Sequence, residues 1–345
     1  MKLFAQWVDF VRENRDLVPI LEKIPLSEIQ NRFQYVGGQI AGGCLYSVVN
    51  SAEKMLRYHI SERKMEFLGS FDAADFKWTG ECLYEDRLYM FSRLKSSLLS
   101  YDIKTERFEE IKAPFSYEGE HHYGGACTQD GIVYQPPRNT NHILRWDLRE
   151  RTCEKIMLSD EEPCRYCGSV LHPDGSIYFI PERDRPVLRL TPTDGKINPI
   201  GNPICGMTFN PTVAYDGNIY GFRSAKGKNG CGILKIDTKS QSVSILHDDI
   251  GFHAYGTKNG INGKLYSLPG YTPEIWEFDP CSCEVRCFDR VKEGCAPYYA
   301  GGATDENGDI YALPVYADHI LKISFGKHGA FIPKELHSAF YTDFY

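Results

Sequence analysis

DGIVYQPPRNTNHILRWDL, residues 130–148, holds the pattern from which the architecture can be read. It opens on the turn pair Asp130-Gly131, and a short apolar run then ends at Tyr134. Pro136 and Pro137 stop that run, a polar loop with Arg138 and Asn139 follows, and residues 143–148 alternate apolar with polar side chains. The pattern is a strand, a loop and a returning strand. It occurs seven times. The tyrosines closing each first run are Tyr46, Tyr89, Tyr134, Tyr178, Tyr220, Tyr266 and Tyr311, spaced by 43, 45, 44, 42, 46 and 45 residues. Three positions before each stands a turn residue: Gly43, Asp86, Gly131, Gly175, Gly217, Gly263 or Gly308.

A second register runs alongside the first. An aromatic lies 11 or 12 residues before each anchor tyrosine: Tyr35, Trp78, Tyr123, Tyr166, Phe209, Tyr255 and Tyr299. Small residues follow it, as in Gly124-Gly125-Ala126-Cys127. Such residues suit an innermost strand where backbones crowd an axis. With a weaker fourth strand after each returning strand, the period defines an all-β chain, a seven-bladed β-propeller of four-stranded blades. The propeller takes residues 33–345. Residues 1–32 fall outside the repeat and read as a short helical N-terminal extension, with Phe4, Trp7, Val8 and Val11 on one face. Residues 17–26 continue the apolar pattern, broken by Pro19 and Pro25. The spacing leaves two ways to close the ring, through the N-terminal segment or through residues 330–333.

Composition narrows the function. A net charge of −7 argues against a nucleic-acid binder. No apolar run approaches a membrane span. The first residues carry too short an apolar run for a secretion signal, since Asp9 interrupts it. A cytoplasmic location follows as the expectation, with most of the twelve cysteines acting as small buried apolar residues.

Strand direction alternates within a blade, so the loop leading into each inner strand shares one face with the loop after the anchor tyrosine. On this top face the residues that break the repeat are the informative ones: His121, His122, Arg165, His253 and Tyr298. Arg93, Arg138, Arg183 and Arg223 follow the anchor tyrosines of blades two to five, which puts positive charge on one sector of an acidic chain. Arginine forks suit carboxylate or phosphate. Together with Trp78, Tyr123, Tyr166, Tyr255 and Tyr299 they outline a pocket for a small or peptidic ligand bearing an anionic group. The competing reading is that the aromatics wedge between blades and the arginines are solvated loop charge with local acidic partners such as Asp184 and Glu182. If the pocket is catalytic, His121, His122 or His253 is the candidate base and Tyr123, Tyr255 or Tyr298 a candidate proton donor, in a lyase, hydrolase or cyclase. A plain protein-interaction scaffold is the remaining alternative.

Cys164-x-x-Cys167 has ligand spacing, but a zinc site drawing on Cys205 and Cys295 would need three blades. No Walker loop, dinucleotide fingerprint or zincin motif is present, so the sequence names no cofactor and no metal site.

Pieces such as Asp174-Gly175-Ser176-Ile177-Tyr178 and Asp216-Gly217-Asn218-Ile219-Tyr220 resemble the blades of the propeller group that includes NHL-repeat proteins, gluconolactonase-like enzymes and streptogramin B lyases. The resemblance covers the seven repeats and implies the fold. The resemblance carries none of the acidic metal ligands of the gluconolactonase-like enzymes over to a residue of this chain.

Overall fold

A computed structural model describes residues 2–29, 34–72, 77–117, 119–159, 163–224, 232–248, 250, 254–291, 299–326 and 332–333. Seven antiparallel sheets follow one another along the chain and close into a propeller. Blade one is built from Tyr35–Ala41, Cys44–Val49, Met55–His59 and Lys64–Leu68, paired in that order. The other blades repeat this order, innermost strand first.

The repeated residues have a common physical role. Gly131, Gly175, Gly217, Gly263 and Gly308 all adopt φ between 79° and 86°, the left-handed region where a side chain is strained. In blades four and five an aspartate ahead of the glycine caps the same turn. Asp174 Oδ1 accepts the Ser176 amide at 2.8 Å, and Asp216 Oδ1 accepts the Asn218 amide at 3.0 Å. The anchor tyrosines are buried, and Tyr220 donates its hydroxyl to Asp216 at 2.8 Å. Second and third strands carry the apolar side chains that pack one blade on the next.

The N-terminal segment divides in two. Helix α1, Lys2–Asn14, is as expected from its apolar face, with Trp7 and Val11 buried. It lies across the lower turns of blades four to six. Phe4 stacks on His172 with centroids 5.7 Å apart, and Arg15 pairs with Asp279 at 2.5 Å. Gly263 leaves the space that Val11 fills, since a Cβ there would meet Val11 at 2.3 Å. The helical extension expected over residues 1–32 does not reach residues 17–26, however. Ile20–Pro25 forms strand β1, which pairs antiparallel with His319–Ser324 and completes blade seven from outside. The prolines that disfavour a helix there are tolerated by an edge strand, whose outer side needs no partner. The ring is therefore closed by the N-terminal segment.

No helix among the described residues is long and apolar enough to cross a membrane.

Candidate functional site

The inner strands place the site. Each pairs one residue with the position three beyond the anchor tyrosine: Tyr35 with Val49, Trp78 with Ser92, His122 with Pro137, Tyr166 with Pro181, Thr208 with Arg223, Ala254 with Pro269 and Tyr299 with Pro314. In five blades the register slips just after this pair, the signature of a β-bulge. A bulge leaves a residue unpaired and re-aims its side chain. The bulged segments carry Val36, Thr79, Cys167, Tyr255 and Ala300. With Tyr123 and Phe209 these line one cavity on the axis, each blade contributing, of about 10 Å³. That is room for a single water.

Two rings result, one residue apart along the chain. The outer ring wedges between blades. Tyr35, Trp78, Tyr166 and Tyr299 are all buried there. The Tyr166 hydroxyl donates to the Pro186 carbonyl at 3.4 Å, and Tyr299 Oη lies 2.6 Å from His319 Nε2, whose Nδ1 meets Asp318 at 2.6 Å. Trp78 packs edge-on against Phe71, centroids 5.5 Å apart. Of the aromatics expected to wall a pocket, Trp78, Tyr166 and Tyr299 are thus placed inside the ring of blades rather than at its mouth.

The inner ring roofs the channel. Tyr123 and Phe209 approach to 5.7 Å between centroids, Phe209 and Tyr255 to 5.1 Å, and Tyr255 and Tyr271 to 5.3 Å. Cys167, in the blade between Tyr123 and Phe209, is small enough to let those two meet. Phe209 is buried, Tyr123 and Tyr255 are half-buried, and Tyr271 is 55% exposed.

The arginine sector gathers at the Tyr123 end of this row. The Arg138 guanidinium stands 4.9 Å from the Tyr123 centroid and that of Arg93 5.8 Å. Burial lowers the Arg93 pKa, and the charge of Arg138 lowers it further. Arg138 and Arg165 share one carboxylate, Glu182, at 3.4 and 4.0 Å. His121 stands beside the pair. Its amide donates to the Asn139 side chain, its carbonyl accepts the Arg138 amide at 2.8 Å, and the residue is half-buried. Burial first, then Arg93 and Arg138, holds the His121 imidazole below its ordinary pKa. The ring is neutral near pH 7.

Other expected residues go elsewhere. His122 occupies the wedge position of blade three and is fully buried between Tyr117 and His142, ring centroids 5.6 and 5.1 Å away. Burial, reinforced by the neighbouring His142, pushes it down to about 3, so it carries no charge and does not reach the mouth. Arg183 is exposed. Arg223 is buried, its guanidinium against Gly206, where a Cβ would come within 2.9 Å. His253, Tyr298 and Cys295 lie outside the described residues. Cys164 is held by its amide to the Thr140 carbonyl of blade three at 2.8 Å, while Cys167 donates its thiol to the Thr208 carbonyl of blade five at 3.8 Å. The two cysteines serve different blades. Burial raises Cys167 to about 12, as for an inert core thiol. Among the described residues no three His, Cys, Asp or Glu side chains converge on a metal position.

Tyr271 is a part of the mouth absent from the residues drawn from sequence, whereas Glu182 is there as the expected carboxylate partner of the loop arginines. Glu182 directly follows Pro181, three positions after the anchor Tyr178, so its place on the top face is readable. Nothing in the repeat singles out Tyr271.

No family model and no curated protein matches the sequence. Solved structures do. A streptogramin B lyase superposes with a TM-score of 0.73 at 16% identity, over 89% of this chain and 97% of that one. A catalytically inactive virginiamycin B lyase from Staphylococcus aureus, crystallised with quinupristin, gives 0.74 at 15%, over 89% and 99%. The extracellular domain of a hybrid two-component system from B. thetaiotaomicron gives 0.67 at 10%, over 91% of this chain and 44% of that one. At these identities the likeness is one of fold. The chain is a seven-bladed β-propeller, built like the streptogramin B lyases.

Proposed function

We propose that this propeller binds a small or peptidic ligand at its top mouth through an anionic group on that ligand. The observation that carries the reading is the pair Arg93 and Arg138 over the Tyr123 ring. Burial, and then the charge of Arg138, depresses the Arg93 pKa. Two like charges held beside one aromatic ring repel. A carboxylate or phosphate bridging them relieves the repulsion while accepting charge-assisted hydrogen bonds. Glu182 answers Arg138 and Arg165 together, which leaves those two with surplus positive charge. The exposed thiols Cys205, Cys281, Cys283 and Cys287 favour a reducing, cytoplasmic setting as part of the same reading.

The test is calorimetric titration of the full chain with inorganic phosphate and with simple carboxylates. Binding that weakens at least about tenfold in Arg93→Gln and in Arg138→Gln is the expected result, the scale of a charged hydrogen bond. Equal binding by wild type and both variants refutes it.

His121 favours a second reading, catalysis at the same mouth. A neutral imidazole beside two guanidiniums is poised to take a proton from a substrate whose developing charge the arginines stabilise. A base role predicts that His121→Gln retains anion binding but loses turnover. Loss of binding alone assigns His121 to recognition.

A further inference from the structure

We infer that the ligand of this mouth is an aryl carboxylate or a similar planar aromatic anion, its ring system lying along the row from Tyr123 to Tyr271. This rests on the anion-binding reading above and deepens it. Four aromatic rings follow one another across the top of the channel in steps of 5.7, 5.1 and 5.3 Å, tilted on one another by 50°, 41° and 52°. One end of the row lies under Arg138 and Arg93. The other end is Tyr271, which follows the strand Leu265–Pro269 and stays 55% exposed.

Sealing the channel accounts for Tyr123, Phe209 and Tyr255, since with the inner residues of the other blades they leave an axial cavity of about 10 Å³. It does not account for Tyr271. Tyr271 packs on Tyr255 yet keeps 55% of its surface exposed, so it carries the row of rings outward to the mouth. An inorganic anion gains nothing from such a row. A ligand with an anion at one end and a flat apolar body gains at both ends: its charge meets the guanidiniums and its ring meets ring faces and edges. Tyr271 is then a specificity-determining residue, reading the ligand's body and not its charge.

The experiment titrates the full chain with inorganic phosphate, acetate, benzoate, naphthoate and glucuronate. Affinity should rise from acetate to benzoate to naphthoate. Tyr271→Ala should weaken naphthoate about fivefold, the worth of one aromatic pair, and leave acetate and phosphate unchanged. Tyr271→Phe should bind naphthoate like wild type. Naphthoate binding no tighter than acetate overturns the inference. So does glucuronate binding tighter than naphthoate, or an equal loss for every anion in Tyr271→Ala. Each of those outcomes leaves the anion mouth intact. Failure of all five probes to bind ends both readings together.

Discussion

Tyr299 and Ala300 are neighbours in the chain, yet one is wedged between blades and the other faces the axis; in blade three His122 and Tyr123 divide the same way. A strand turns successive side chains to opposite sides, and the bulge after the wedge residue fixes which one meets the axis. The outer ring favours an aromatic because every blade must be packed against the next. The inner ring varies more: Val36, Thr79, Cys167 and Ala300 are small or aliphatic, while Tyr123, Phe209 and Tyr255 at the same position are aromatic. Variation at a fixed position of a repeat marks the place where blades differ for reasons other than packing.

Truncation separates the two rings by the widest margin. Tyr299→Ala should cost about 3–5 kcal/mol in denaturant unfolding, as for a fully buried aromatic, and it also strips His319 Nε2 of the Tyr299 hydroxyl. Tyr255→Ala, half-buried in the inner ring, should cost much less. Equal losses would erase the distinction between the rings.

Next in size is the pH dependence of the wedge histidine. His122 is held at about 3 in the fold, whereas the unfolded chain takes up the proton near the ordinary value of about 6.5. The unfolded state binds more protons across this window, so stability falls as pH drops from about 6.5 towards 3. Between about pH 7 and 5 this one group should remove about 2 kcal/mol, and His122→Phe should remove that part of the slope. His142, lowered chiefly by burial and then by Lys155, adds to the same trend.

The smallest effect concerns His121. Removing a nearby positive charge favours its protonated form, so Arg138→Ala should move its pKa upward towards the ordinary value, followed by imidazole NMR. An unmoved His121 would mean that the guanidinium field does not reach it.

The fold was legible because its signals are local. An anchor tyrosine, a turn residue three positions earlier, in five blades a glycine at φ near 80°, and a run of the right length recur whatever the tertiary context. The closing strand was not, since Ile20–Pro25 shows no clean alternation and buries only Ile24 among its six residues. The site was legible by face but not by residue. Tyr35 and Trp78 stand 11 residues before their anchor tyrosines and are wedges, while Tyr123, Phe209 and Tyr255 stand at the same spacing and face the axis. A one-residue difference in inner-strand length between blades separates them, and spacing alone does not reveal it. The proline three positions after the anchor, as in Pro137 and Pro269, is the better marker, because it names the wedge residue by pairing.

The decisive measurement is a titration of wild type and Arg138→Gln with benzoate, followed at the His121 imidazole resonances. A saturable shift in wild type, with an upward move of the His121 pKa and an affinity at least about tenfold weaker in the variant, is the expected result. Resonances that stay still throughout, or identical curves for the two proteins, would contradict the assignment of this mouth to anion binding.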